Sequence, residues 1–386
     1  MKNSLGVGRI LGVPIFLHYT LIIIMLLFAA VFGFTSGSIL GFTLGYGNLP
    51  LAWPWLLLLG AIAAILFFLS VLVHELAHSY YAIRKGYTIS GITLFIFGGV
   101  SQIEHTPEGA PGEGTMAFVG PLSSIVIGAI FTPAYLILGN MSGGVALQAT
   151  TITVGIIAFY NLFLGAFNLI PAFPMDGGRV LRAYLVKRLG FLRATEVAAN
   201  VGKALAVAMA IFGIFYSIFL IFIAIFIFLA AGEEQRTTRF NEALKGLKAA
   251  ELMTRSVATA SIDDTVSNIM SRMMAEKHTG YPVVNSTALV GMVSIEDAAR
   301  IPEKDRPSTP VSRIMSTRIV TVTTETKATD VLEKMSTTGI SRILVTENGL
   351  LVGIITGSDL AKVVDMVLRA QKASSGQQST MGLTKP

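Results

Sequence analysis

The first 232 residues carry few charges, and these sit in short clusters between long apolar runs. No other property of the sequence restricts the fold as much. Over the whole chain of 386 residues, 13% are charged and 53% are hydrophobic, whereas an ordinary soluble domain has about 25% charged residues. Because the deficit is confined to one stretch, residues 1–232 read as a polytopic α-helical membrane domain. Beyond Gly232 the charge density rises and a soluble region begins. The net charge of +6 needs no nucleic-acid partner, because membrane proteins collect Lys and Arg in their cytoplasmic loops.

Apolar runs at 14–34, 54–83, 116–140 and 148–170 each suit a spanning helix of about 20 residues. The run from 197 to 231 would measure about 52 Å as one helix, too long for a hydrocarbon core of about 30 Å. It therefore reads as two helices joined near Gly213–Ser217. Charge placement sets the count. Lys2 and Arg9 precede the first run, and Arg84 and Lys85 follow the second. A cluster from Arg179 to Arg193 follows the fourth run, and one from Arg236 to Lys248 follows the last. Six transmembrane helices place every cluster on the cytosolic side of a multi-pass cell-membrane protein, with both termini in the cytosol. The first run lacks the flanks of a removable signal peptide.

The soluble part repeats itself. Met253 and Met315, Thr259 and Thr321, Gly291 and Gly353, and Asp297 and Asp359 are each 62 residues apart. Each copy reads as a short strand, a helix, two apolar strands and a final helix. The expected divisions are a membrane domain 1–232, a linker 233–249, copies at 250–301 and 311–370, and a disordered polar tail 371–386.

The chain has no cysteine, so any metal must be held by His, Asp or Glu. His74-Glu75-Leu76-Ala77-His78 follows the H-E-x-x-H pattern. On a helix the two imidazoles lie one turn apart and reach one Zn²⁺, and Glu75 is placed to take a proton from a water there. Ionisable residues inside a span are costly and usually functional. A catalytic zinc needs a third protein ligand. The best candidate is Asp176 in the stretch Asn168–Arg179, where Pro171 and Pro174 end a helix. A simple Asp-Gly-Gly turn is the competing reading. Asn168 is placed either to donate to a developing oxyanion or to pack between helices. Residues 89–103 read as a short hairpin or re-entrant strand around Gly98-Gly99, whose edge would hold an unwound substrate by strand addition or simply pack. His18, His105 and His278 read as packing or surface residues.

These two motifs resemble the signatures of the site-2 protease family of intramembrane metalloproteases. Phe97-Gly98-Gly99-Val100 and Gly120-Pro121 are similar to its loop and third-helix motifs, although Ser124 stands where many members have Asn. The resemblance covers residues 5–232. It implies one zinc held by His74, His78 and Asp176, Glu75 as general base, and a substrate that is itself a transmembrane protein segment in the lipid bilayer. The repeat resembles a tandem pair of CBS (cystathionine-β-synthase) domains. In such pairs the Asp of each copy, here Asp297 and Asp359, meets ribose, and the hydroxyl, here Ser294 and Thr356, meets phosphate. The implied ligand is an adenine nucleotide (ATP, ADP or AMP), and a second copy of the chain is an implied partner. Helix capping explains the same four residue types. Lys304, Arg306, Arg313, Arg318 and Arg342 are further candidates for phosphate contacts. The rival readings are a nucleotide-gated transporter, which leaves H-E-x-x-H unexplained, and an inactive scaffold, against which the intact site argues.

Overall fold

The computed structural model describes residues 4–96, 98–105, 112–286 and 288–381, and the chain divides into two compact units, 1–236 and 237–386. The N-terminal unit opens with strands β1 (Ser4–Ile10) and β2 (Val13–His18), followed by helix α1 (Thr20–Phe34), a small hairpin of β3 (Ser38–Ile39) and β4 (Phe42–Thr43), and helix α2 (Trp53–Arg84). Then come β5 (Thr88–Phe95) and β6 (Gly98–His105), and helices α3 (Glu113–Gly139), α4 (Val145–Asn168), α5 (Asp176–Leu189), α6 (Phe191–Tyr216) and α7 (Ile218–Leu244).

Among the described residues, α2, α3, α4, α6 and α7 are long and apolar enough to cross a membrane. The long apolar run does break in two, at Ser217. The expected first span differs. Its leading residues form β2, which leaves α1 with 15 helical residues, about 22 Å of helix. The β-branched and aromatic residues of Val13–His18 pair with β1 on one side and, in parallel, with β5 on the other. The expected linker 233–249 also differs, because α7 continues to Leu244. Ion pairs between Glu233 and Arg236 and between Glu242 and Lys245, three residues apart, suit a solvated helix.

α1, α2 and α4 meet around Phe32 and Tyr46, both fully buried. Phe28, Phe32, Phe67, Phe68 and Tyr160 form an aromatic cluster there, and the Tyr46 hydroxyl meets Thr153 Oγ1 at 2.7 Å. At the other end of α2 a four-stranded sheet runs in the order β1-β2-β5-β6. The hairpin expected over 89–103 is present as β5 and β6, with Phe95 opposite Gly98. Among the described residues, β6 is an edge strand of that sheet. Phe97 lies outside the described residues.

The C-terminal unit contains α8 (Ala249–Leu252), β7 (Ala260–Ser261), α9 (Val266–Glu276), β8 (Gly280–Asn285), β9 (Ala288–Ser294) and α10 (Ile295–Ala299), and then β10 (Thr321–Val322), α11 (Ala328–Thr338), β11 (Arg342–Glu347), β12 (Leu350–Thr356) and α12 (Gly357–Met381). One six-stranded sheet, in the order β10-β11-β12-β9-β8-β7, carries both copies, with Leu350 of β12 opposite Ala288 of β9. The copies exchange their leading segments. Ala249 and Leu252 lie in the core of the second copy with Val322, Ile343 and Val345. Val311 lies in the core of the first with Ile269, Tyr281 and Val283. Backbone bonds repeat the exchange, from Ala249 N to Thr326 O and from Val311 N to Asp264 O. The divisions expected at 250–301 and 311–370 therefore separate sequence copies and not folded lobes. Helix α12 runs on to Met381, through the first part of the tail expected from residue 371. Residues 382–386 lie outside the described ones.

Candidate metal centre

His74 and His78 stand one turn apart on α2, and both turn their Nε2 atoms toward Asp176, the first residue of α5. His74 Nε2 is 3.3 Å from Asp176 Oδ2, His78 Nε2 is 3.1 Å from the same oxygen, and the two nitrogens are 3.2 Å apart. His74 is buried, and the other two are partly so. Asp176 reaches this place because the chain between α4 and α5 is clamped from outside. Phe173 N donates to Ala198 O of α6, and Phe173 packs among Ala198, Ala199 and Ala231. A Cβ at Gly177 would collide with Ile170 O, so the Gly at this position lets α5 start tight against the preceding turn. The N-cap of α5, Met175, offers no side-chain cap, so no capping side chain claims the start of α5.

The other ring nitrogens are anchored by α3. His78 Nδ1–H donates to Met116 O at 2.7 Å, which fixes the proton on Nδ1 and leaves Nε2 a lone pair. His74 Nδ1 lies 2.9 Å from Ser124 Oγ, and with the proton on Nδ1 its Nε2 is likewise free. Met116, Gly120 and Ser124 are spaced four residues apart and so share one face of α3. Gly120 is the small member, and a Cβ there would collide with the His78 ring. Such orienting contacts fix tautomer and direction for metal-binding imidazoles.

The donor set fits zinc on geometry alone. Ligand atoms about 2.0–2.1 Å from a tetrahedral zinc stand about 3.3–3.4 Å apart. The three observed separations fall at or just below that edge. Two nitrogens and one carboxylate oxygen, with one tetrahedral corner left over, are the donors of a catalytic zinc site.

Glu75 follows His74 on α2, and its Oε2 accepts from Ser101 Oγ of β6 at 3.2 Å. Ser79 Oγ lies 3.0 Å from Ser101 Oγ. A Cβ at Gly99 would collide with Glu75 Cγ, so β6 lies directly against this carboxylate. Gly98 is the neighbouring strand residue, with φ +119°.

The structure thus brings His74, Glu75, His78, Asp176 and Gly99 together. Asn168 ends α4, and its Nδ2 donates to Leu164 O in its own helix at 3.1 Å. His18 Nδ1 meets Thr20 Oγ1 beside the start of α1, and His278 is half-exposed beside Glu276. Sequence reasoning passed over Ser101 and discounted Ser124. The four-residue spacing of Met116, Gly120 and Ser124 on an apolar helix was the available signal for the second. Nothing local marks Ser101.

In the C-terminal unit the four expected nucleotide residues bond to one another. Ser294 N and Oγ both donate to Asp297 Oδ2, at 3.1 and 2.6 Å, and Asp297 N donates back to Ser294 Oγ at 3.2 Å. Thr356 and Asp359 repeat this at 3.0, 2.6 and 3.3 Å. Each set is a capping box. Of the candidate cations, Arg306 Nε donates to Ile301 O, and Arg342 reaches across from the second copy to Thr279 Oγ1 of the first.

The sequence profile of Peptidase family M50 matches residues 140–209, and that of the CBS domain matches residues 249–304 and 311–365. The chain is 34% identical over 368 residues to zinc metalloprotease MJ0392 of Methanocaldococcus jannaschii, covering 95% of this chain and 98% of that one. It is 33% identical over 386 residues to Rip3 of Mycobacterium tuberculosis, covering 96% and 95% of the two chains. Among solved structures, the site-2 protease of M. jannaschii is 35% identical and covers 60% of this chain and 95% of that one, with a TM-score of 0.41. The chain belongs to the M50 peptidases, the site-2 protease family of zinc metalloproteases, and carries a tandem pair of CBS domains.

Proposed function

We propose that this membrane protein hydrolyses peptide bonds within or beside the transmembrane segments of other membrane proteins. His74, His78 and Asp176 hold its zinc, and Glu75 is the general base. The observation that carries this reading is the convergence of the three ligand atoms within 3.1–3.3 Å of one another, next to a carboxylate and an open strand edge. Zinc, when bound, supplies a Lewis acid that polarises a carbonyl and a water.

The chain's own residues do the rest. Glu75 takes one proton from the attacking water and returns one to the departing amine, so that its charge is restored at the end of the cycle. Ser101 donates to Glu75 Oε2 and holds the carboxylate in one orientation. Gly99 lets β6 close on Glu75, so that an extended substrate paired with the edge of β6 near Gly98 and Gly99 runs beside the carboxylate. An open edge inside a membrane needs a protein or water partner for its backbone groups, and a substrate strand meets that need. An amide nitrogen carries two N–H groups. Asn168 spends one on Leu164 O and has the second for a developing oxyanion.

The charge distribution supports a cytosolic C-terminal unit and cytosolic termini, with β2 and α1 together making the first crossing. For the CBS pair we infer adenine nucleotide binding at Ser294, Asp297, Thr356 and Asp359. Oδ2 of each Asp is committed to its capping box, so ribose contact falls to the other carboxylate oxygen. A nucleotide there alters proteolysis only by favouring one arrangement of the two copies over another.

The experiment is cleavage of a model transmembrane substrate by purified protein. Glu75→Gln is expected to retain zinc and to lose about 10²–10⁴ in rate. A wild-type rate in that variant removes Glu75 from the mechanism.

A further inference from the structure

Six residues after Asp176 on the same helix lies an arginine that the hydrolysis does not use. Arg182 is 5% exposed. Its guanidinium lies over the rings of Phe173 and Phe191, 4.9 Å from each centroid. One terminal nitrogen pairs with Glu113, the first residue of α3. The other reaches Glu234 Oε1 of α7 at 3.1 Å and Thr195 Oγ1 of α6 at 3.4 Å. Four helices are therefore joined through one side chain.

A buried cation is a poor choice for mere packing, because apolar side chains of the same volume fill such a place at less desolvation cost. What only arginine offers is a flat, charged plate that stacks on rings while its edge is held by carboxylates. One of those rings is Phe173, which is 1% exposed and three residues before Asp176. Phe173 belongs to the turn that carries Asp176 into the centre. The plate thus bears on that turn, and its own place is set by Glu113 and Glu234.

We propose that Arg182 is a positioning residue for Asp176. Held by Glu234 of α7 and Glu113 of α3, it fixes Phe173 and through it the stand of the Asp176 carboxylate, so that the seating of α7 against α5 sets the zinc affinity. Glu234 lies two residues before the end of the N-terminal unit at Arg236. The inference rests on the reading of Asp176 as a zinc ligand.

The test measures zinc affinity of the full-length protein by competition with a chromophoric chelator. Arg182→Lys keeps the charge and loses the plate, and is expected to weaken zinc binding by about 10-fold. Glu234→Gln, at a side chain that is 30% exposed, is expected to weaken it by about 3-fold or more, and the two changes together by less than the product of their separate effects. Lys203 makes a separate bond from α6 to α7, with Nζ 2.7 Å from Gln235 Oε1. Lys203→Met is therefore expected to stay within about 2-fold of wild type. Where Arg182→Lys does not fold, Glu234→Gln carries the test.

Wild-type affinity in Arg182→Lys and Glu234→Gln, with affinity lost in Asp176→Ala, overturns the positioning role alone. Equal losses in Lys203→Met and Glu234→Gln also overturn it, because loosening of α7 then suffices. Undiminished zinc binding in Asp176→Ala defeats the ligand reading itself.

Discussion

Asp176 in the N-terminal unit and Asp359 in the C-terminal unit both sit in the first turn of a helix, where the helix dipole favours a carboxylate. They spend their oxygens differently. Asp359 Oδ2 takes the N–H and hydroxyl of Thr356, and Asp297 does the same with Ser294. Met175 before Asp176 has no side chain that can cap, and Asp176 Oδ2 turns away from its own helix toward two imidazoles on another. A carboxylate satisfied by its neighbours in sequence stabilises a helix. One left unsatisfied by them, and met by imidazoles from far along the chain, is available to a cation.

The contrast breaks first at Asp176. Asp176→Ala is expected to weaken zinc binding by about 10² or more, since one of three protein ligands is lost, and to abolish substrate cleavage. Elemental analysis after dialysis against a chelator reads the loss, and stoichiometric zinc in the washed variant would place the third ligand elsewhere.

The same substitution in the C-terminal unit tests the other half. Asp297→Ala and Asp359→Ala each remove a capping box, and each is expected to lower the stability of that unit by about 1 kcal/mol with zinc content unchanged. Thermal unfolding reads the first quantity. Titration calorimetry with ATP, ADP and AMP then asks whether the carboxylates also serve a nucleotide. Binding to wild type that survives both substitutions would reduce them to caps, and no binding at millimolar concentration would leave the pair as a docking or dimerisation module.

The smallest expected effect distinguishes the two copies from each other. Burial and the hydrogen bond to Glu276 push the Tyr281 phenol up to about 12, and the Glu276 carboxyl is held down by accepting that bond at 2.7 Å. A raised phenol stabilises the fold fully below its ordinary value near 10, and that contribution is lost as pH climbs from about 10 through 12. The second copy has Ile343 at the matching position. Tyr281→Phe is expected to flatten the fall of the unfolding temperature between pH 10 and 12, and an unchanged slope would assign that fall to other groups.

Much of this was legible in order along the chain. The break at Ser217 followed from length against bilayer thickness, and the 62-residue repeat from identities at fixed spacing. H-E-x-x-H and the Pro-rich stretch before Asp176 pointed to the three side chains that the fold brings together. β2 was hidden because Val13–His18 is apolar and runs into α1, and a short apolar run has no period to separate strand from helix. Ser124, Ser101 and Arg182 act across 50, 26 and 52 residues, and no local pattern encodes such a contact. The exchange between copies was hidden for another reason. A repeat read from sequence shows where a unit recurs, and not which unit covers its core.

That exchange bears on how the chain is made. Synthesis delivers the N-terminal end first, so Ala249, Leu252 and Met253 emerge well before the strands they cover. Met253 closes on Gly353, as Met315 closes on Gly291. The first lobe can finish as soon as residue 316 is out of the ribosome, whereas the second must wait for residues up to Val364 and then recover a lid made more than 100 residues earlier. For that interval an apolar segment just past a membrane helix has no cover of its own. A chain cut short between residues 316 and 364 would keep the whole of its N-terminal unit and leave half of its C-terminal core open.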